Sequence, residues 1–482
     1  MNTLTILWIA LPLFVGFSGY LLPHLTRTLA LSITSISIAY GLSRIVDPNT
    51  LTLELLDNFG VTLVVDSLSG FFILTNALVT TAVVLYCWQQ GKSKFFYTQT
   101  IILHGSVNAV FICADLMSLY VALEVIGIAA FLLIAYPRTD RSIWVGLRYL
   151  FISNTAMLFY LMGAVLVYQT NQSFSFNGLE NAPTDAIALI VLGLLTKGGI
   201  FASGLWLPLT HSESETPVSA LLSGVVVKTG VFPLVRFALI AEDIAPILQV
   251  FSIGTALLGV SYAILEKDTK RMLASSTISQ IGFVLAAPAA AGFYALTHGL
   301  AKASLFLIAG NLPSRDFQTL KRSPLPRGIW LAIVIASLSI SGLPLLAGFE
   351  AKALTTQNLE YWHATVMNLI AVGTAIAFAK FIFLPVEKQT ASAASYKKIK
   401  SGFWLAIGLL LSGLVLANGQ SFELYTVNKV LIALAIVGTG WTTYWLIFRR
   451  FTLKLPQGVE RFENLIGIMS LMLMLLFGMV VV

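Results

Sequence analysis

Apolar runs of about twenty residues follow one another along almost the whole chain, separated by short polar loops. Each run is long enough to cross the ~30 Å hydrocarbon core of a bilayer as a helix. A backbone in lipid must satisfy its own hydrogen bonds, so only helices or a closed barrel can span. Continuous rather than alternating apolar runs exclude the barrel. Charged residues make up 11% of the chain, against about 25% in a soluble domain. The chain is therefore expected to be an all-α polytopic membrane protein with about 14–16 transmembrane helices.

No loop exceeds roughly 20 residues, whereas a single βαβ nucleotide-binding unit needs about 30. The two cysteines, Cys87 and Cys113, both fall inside predicted spans. A four-cysteine zinc or iron–sulfur set cannot be built from them. No cofactor and no metal site are expected. If the protein serves a redox enzyme, that chemistry lies on partner chains. No lysine or arginine precedes Arg27, so the basic start of a signal peptide is missing and the first helix reads as an uncleaved span.

The basic residues are distributed unevenly. Loops after odd-numbered spans hold most of them, including Arg27, Lys92, Lys94, Arg138, Arg141, Lys267, Lys270, Arg271, Arg315, Lys321, Lys388, Lys397, Lys398, Lys400, Arg449, Arg450 and Lys454. Loops after even-numbered spans hold Arg44, Arg236 and Lys429. The positive-inside rule makes the odd loops cytoplasmic and turns both termini outward.

Five lysines fall within or at the edge of membrane segments: Lys197, Lys228, Lys302, Lys352 and Lys380. A central lysine costs about 2.5–3.5 kcal/mol on insertion scales. In "IVLGLLTKGGIF", Lys197 lies about eleven residues from either end of its span, roughly 16 Å at 1.5 Å per residue. That is too far for the ammonium to reach the interface along its own stem. Lys228 and Lys302 are similarly deep. Lys380 lies five residues from Pro385, where reaching the interface is an equal alternative. The depth of Lys352 depends on where its helix breaks.

Deep lysines need a counter-charge or a wet cavity. The best acidic candidate is Glu124 in "LYVALEVIGIAAFLL", since an intramembrane carboxylate is functional by default. A static structural ion pair is the alternative. A buried lysine whose counter-charge moves can change protonation, and a row of such lysines forms a proton relay. His298 joins the row, because it sits at i and Lys302 at i+4 on one helix face. A haem ligand pair is disfavoured, as His104 is the only other deep histidine. His211 and Glu215, with Glu213, mark a candidate aqueous mouth. His24 and His363 read as interfacial.

Glycine and proline interrupt two of these helices. Gly198 and Gly199 follow Lys197, and Gly342, Pro344 and Gly348 precede Lys352. Unwound backbone in a membrane is tolerated where it lines a cavity or is buried in protein. Matched broken helices point to inverted repeats around a central ion path. The two breaks lie five spans apart, and an odd offset inverts one unit relative to the other. The expected organisation is N-terminal helices over 1–94, inverted repeats over 95–237 and 244–385, and C-terminal helices over 402–482.

Several of these segments resemble one family. "ADLMSLYVALEV", "LWLPLTHSESETPVSALLSGVVVKTG", "LEKDTKRMLASSTISQIGF", "THGLAKASLFLIAG" and "SGLPLLAGFEAK" occur in the order found in the antiporter-like subunits of Mrp-type cation/proton antiporters and of proton-pumping NADH dehydrogenase (complex I). The resemblance covers roughly residues 60 to 385. It implies that Glu124 pairs with Lys197, that Lys228, His298 and Lys302 carry a central proton path, and that Lys352 lies near its exit. Two positions depart from the family pattern: Glu215 stands where a proline is usual, and Leu123 where a tryptophan is usual. The last two spans go beyond the usual fourteen helices, and their basic linker "FRRFTLKLPQGVERFENL" reads as a cytoplasmic docking segment. No long lateral helix of the kind one NADH dehydrogenase subunit carries is visible.

The resemblance implies a proton-translocating subunit of a multisubunit complex in a bacterial or thylakoid membrane, exchanging protons for Na⁺ or K⁺. The alternative is a proton-pumping arm of a quinone-reducing oxidoreductase without metal-cation exchange. A static scaffold is a third reading, and a stand-alone enzyme with its own catalytic domain is excluded. Expected partners are other membrane subunits, lipid and ions, with no nucleic acid.

Overall fold

The computed structural model describes residues 2–19, 21–22, 24–55, 61–241, 244–387, 399–420, 422–449 and 460–481. Lys388, Lys397, Lys398, Arg450 and Lys454 lie outside the described residues. The chain begins with α1 (Asn2–Ser18) and α2 (Thr26–Val46). A hairpin of β1 (Leu51–Glu54) and β2 (Thr62–Val65) follows, antiparallel, with Leu51 opposite Val65. Then come α3 (Ser67–Cys87), α4 (Lys94–Val110), α5 (Leu116–Ile134) and the long α6 (Asp140–Asn171). Next are α7 (Thr184–Lys197), α8 (Leu207–Glu213), α9 (Thr216–Leu221), α10 (Lys228–Ile240), α11 (Ile244–Leu265) and α12 (Thr269–Ala286). After α13 (Ala291–Ala309) and the short α14 (Phe317–Leu320) come α15 (Arg327–Ser341), α16 (Ala347–Gln357) and α17 (Tyr361–Ile382). The chain ends with α18 (Ser401–Leu416), α19 (Val427–Thr443) and α20 (Phe462–Val481).

Among the described residues, 11 helical segments are long and apolar enough to cross a membrane, while α1, α15 and α18 are apolar but shorter. The helices α4 and α12 carry more polar residues, and almost all of both is buried inside the protein. A helix that touches protein rather than lipid need not be uniformly apolar. With these two included, the helices reach the upper end of the expected range. The fold is the expected helical membrane bundle, with this short hairpin added between α2 and α3. The run from Leu63 reads in the sequence as the start of a span, but its β-branched residues pair as β2. The third helix begins only after Asp66, whose side chain caps it by accepting from the Ser69 N–H at 2.9 Å.

Burial sorts the helices into centre and rim. The membrane windows of Thr216–Ile240 and Pro288–Ala309 are 100% buried, against 17% for Val427–Phe448 and 22% for Phe462–Met479. The lysine-bearing helices α10 and α13 therefore lie in the middle of the bundle, and α19 and α20 face outward.

Ion pairs gather the two sets of loops at opposite ends. At one end Lys92 meets Glu215 at 2.7 Å, Arg141 meets Glu213 at 3.3 Å and Arg315 meets Asp268 at 2.8 Å. All of these residues belong to loops after odd-numbered spans. At the other end Arg236 pairs with Asp66, Arg44 with Asp47 at 3.0 Å, and Lys429 reaches Gln357 at 2.7 Å.

Both helix breaks are present. After α7, Gly199 (φ 67°) and Phe201 (φ 53°) take left-handed backbone, and the chain restarts as a 3₁₀ turn over Phe201–Trp206. Phenylalanine rarely adopts such a φ. Here the Phe201 N–H donates to Thr255 Oγ1 at 2.9 Å and its ring packs on Phe251, which fixes the conformation. After α15, Gly342 (φ 85°) and Leu345 (φ 74°) turn the chain into α16.

Candidate functional site

Lys197 is the last residue of α7, at the break, and is 4% exposed. A cation at a helix C-terminus meets the favourable end of the helix dipole. Its Nζ donates to Leu123 O at 3.1 Å and to Ser153 Oγ at 2.5 Å. Gly127 makes room for it: a Cβ there would lie 3.4 Å from the amine. Among the described residues no ion pair within 4.0 Å joins Lys197 to Glu124, although Glu124 directly follows the residue whose carbonyl takes the lysine hydrogen. The structure therefore seats this ammonium on neutral oxygens, and the carboxylate stands off.

The break at Lys197 is welded to the next lysine-bearing helix. A Cβ at Gly230 of α10 would strike the Gly198 backbone, and one at Gly204 would strike Gly199 O. Two residues before Gly230, Lys228 is 1% exposed and follows a π-helical stretch, Leu222–Val226. π-Bulges cluster at functional sites because they release a carbonyl from the helical ladder. Here the Gly224 carbonyl accepts from Lys228 Nζ at 2.5 Å. The same amine lies against α13, 3.5 Å from where a Gly299 Cβ would be.

His298 and Lys302 both face α12. Lys302 is 0% exposed; its Nζ donates to Leu273 O at 3.0 Å and to Ser276 Oγ, beneath the Phe378 ring at 5.1 Å. Both ring nitrogens of His298 are buried without a hydrogen-bond partner among the described residues. The ring lines a small cavity with Gln280, Tyr294, Ser339 and Gly348. Lys352 is part-buried; its Nζ donates to Ser341 O at 3.3 Å and lies 5.3 Å from the Phe283 ring. It lines a second cavity that also reaches Asn368 and Lys429, toward the end opposite the Lys92–Glu215 pair.

These contacts expose a stripe that sequence reasoning missed. Leu273, Ser276, Gln280 and Phe283 recur at three- and four-residue spacing and so share one face of α12. Along that face lie Lys302, His298 and Lys352 in turn. The signal in the sequence was the recurrence of Ser and Gln in "LASSTISQIGF". Ser153 was also missed, as was Glu350, which is 0% exposed and accepts from the Gly419 N–H.

One expectation is corrected and one open alternative is decided. His211 does not sit at an open mouth: it is 0% exposed, packed between the rings of Trp206 and Phe306. The polar neighbours that suggested a mouth point elsewhere, with Glu215 held by Lys92 and Glu213 by Arg141. Lys380 reaches the loop end of its helix: it caps the end of α11 by donating to Ala263 O at 3.0 Å and Glu266 O at 2.8 Å, in a cavity it shares with Lys267 and Lys321.

Chemically, each buried amine donates to one or two neutral oxygens. A neutral amine has two N–H groups and an ammonium three, so this seating serves both forms. The fold and this row define a class: polytopic membrane proteins with several buried, titratable lysines on broken or distorted central helices. The chain belongs to the family described as NADH:quinone oxidoreductase/Mrp antiporter, TM, which matches residues 113–377. It is 31% identical over 367 residues to an NADH-quinone oxidoreductase subunit of Desulforudis audaxviator, covering 68% of this chain and 72% of that one. It is 27% identical over 449 residues to a Na(+)/H(+) antiporter subunit of Alkalihalophilus pseudofirmus, covering 82% and 90%. The fold matches a chain of the Mrp complex from Dietzia sp. DQ12-45-1b with a TM-score of 0.75 at 18% identity, over 96% of this chain and 98% of that one. A chain of the membrane-bound sulfane sulfur reductase, an archaeal respiratory membrane complex, matches with a TM-score of 0.76 at 20% identity, over 92% and 99%.

Proposed function

We propose that the chain is the proton-translocating, antiporter-like subunit of a multisubunit membrane complex, exchanging protons for Na⁺ or K⁺. The observation that carries this reading is the row of Lys197, Lys228, His298, Lys302 and Lys352, buried or part-buried in the bundle, with its last three members ranged along α12. Lys197 serves the entry, Lys228, His298 and Lys302 the central relay, and Lys352 the exit toward Lys429. Glu124 modulates Lys197 across a gap rather than by direct contact. The end carrying Lys92, Arg141 and Arg315 faces the cytoplasm, which turns both termini outward. The two broken helices belong to inverted repeats over 95–237 and 244–385, with no cofactor or metal on this chain.

The test is proton flux in proteoliposomes holding the whole complex. Lys197→Ala is expected to abolish the ΔpH, while Glu124→Gln slows it by roughly tenfold or less, as the loss of one non-contacting charge implies. Unchanged pumping by an intact Lys197→Ala complex would falsify the relay.

A second reading, a proton-pumping arm of a quinone oxidoreductase, is favoured by the 31% identity to an oxidoreductase subunit. Co-purified subunits separate the two. Iron–sulfur and quinone-binding partners with Na⁺- and K⁺-independent flux support the oxidoreductase, and cation-dependent flux supports the antiporter.

A further inference from the structure

The last two helices lie outside the family match, yet one residue of their linker is buried against two helices of the matched region. Glu460 is 8% exposed and precedes α20, which packs on α7 and on the 3₁₀ turn after its break. The Glu460 Oε1 accepts from Arg271 Nη2 at 2.6 Å, and its backbone carbonyl accepts from Arg148 Nη2. Arg271 also donates from Nε to Glu266 Oε2 at 3.1 Å. Arg148 is 5% exposed, and its Nε and Nη1 are buried without a partner among the described residues. Unfilled guanidinium N–H groups beside a carboxylate are costly, because each buried N–H wants an acceptor.

The two arginines stand on the helices that seat the relay lysines. Arg148 lies on α6 five residues before Ser153, which holds Lys197. Arg271 lies on α12, just before Leu273 and Ser276, which hold Lys302. We propose that the Glu460 side chain is a two-position carboxylate, resting on Arg271 in this structure and able to swing onto the open N–H groups of Arg148, so that the carboxylate ties α20 either to the seat of Lys302 or, beyond the carbonyl bond already present, to the seat of Lys197. It is a positioning residue, coupling the entry half of the relay to its central half. A carboxylate there pairs Nε or Nη1 with the second hydrogen of Nη2, a bidentate edge that makes Arg148 a competent second seat, which a lysine would not be. The proposal rests on the proton-relay reading above.

The experiment uses the whole complex in proteoliposomes, with Lys197→Ala as the control for that reading. Glu460→Gln and Arg148→Lys are each expected to lower proton flux by about tenfold, the scale of one charge-assisted hydrogen bond. Assembly and unfolding temperature stay unchanged, and the double variant is no slower than either single one. A static clamp needs Arg148 only for the Glu460 carbonyl, a bond that lysine can replace, so wild-type flux in Arg148→Lys overturns the switch. If Glu460→Gln fails to assemble, Arg148→Lys alone decides. If Lys197→Ala pumps normally, the relay reading fails first, and the flux of the other variants no longer reports on it.

Discussion

Replacing Lys302 with methionine is expected to lower proton translocation by roughly 10²–10⁴-fold, the span over which a positioned acid–base group contributes, while the complex still assembles. The side chain is wholly enclosed, with its amine on Leu273 O and Ser276 Oγ and against the Phe378 ring. Methionine keeps the length and most of the volume, and volume-conserving swaps in a core cost less than about 1.5 kcal/mol. Leu273 O keeps the Ser276 and Thr277 hydroxyls as donors, and the expense of holding a cation at that depth disappears as well. The stability change is therefore small and the functional change large. Lys302→Arg sharpens the test, because a guanidinium keeps the charge yet does not release its proton. If the amine titrates, arginine is as inactive as methionine; if the site needs only a fixed positive charge, arginine restores flux. A scaffold predicts the reverse pattern, lost assembly in Lys302→Met with flux intact in whatever assembles.

What could be read from the sequence depended on how a residue stands out in an apolar run. Lys197, Lys228 and Lys302 did, because a charge in lipid has a large cost and no neutral explanation at that depth. The breaks were visible as well, since Gly198, Gly199 and Gly342 are where a helix must yield. Ser153, Ser276 and Gln280 did not stand out, because serine is common in membrane helices and only the fold turns these toward an amine. The stand-off of Glu124 from Lys197 is a matter of how α5 and α7 are spaced, which no residue pattern encodes. His211 misled because its neighbours Glu213 and Glu215 are polar, while its own ring points inward between Trp206 and Phe306. The hairpin was hidden because four β-branched or apolar residues look like the first turn of a span. Glu460 was hidden in a basic linker whose overall charge suggested docking, whereas its carboxylate turns inward to arginines from two distant helices.

Gly348→Ala should be the most destabilising single-methyl change in the central bundle, at about 1–3 kcal/mol or more for an overpacked site. Gly348 lies in the first turn of α16, pressed so closely on α15 that a Cβ would overlap the Ser339 carbonyl. Neither partner can yield cheaply. The clash is with backbone rather than the end of a flexible side chain, and α15 is held from the other side by its packing on α13 and α17. The same backbone-on-backbone contact recurs at the first break, where a Cβ on Gly204 would meet Gly199 O. Gly408→Ala is the matched control, because nothing lies within 4 Å of a Cβ there and it sits within α18. In a helix interior alanine is favoured over glycine by roughly 0.5–1 kcal/mol, so the control should hold or gain stability. Unfolding midpoints of the wild-type and both variant complexes decide the matter, and a Gly348→Ala midpoint equal to that of Gly408→Ala would show that the break is not backbone-limited. The functional consequence follows from the geometry: Gly348 borders the His298 cavity and stands four residues before Lys352. Displacing α16 by the width of one methyl therefore separates Lys352 from His298, and on the proposed relay flux should fall in whatever fraction of the complex survives.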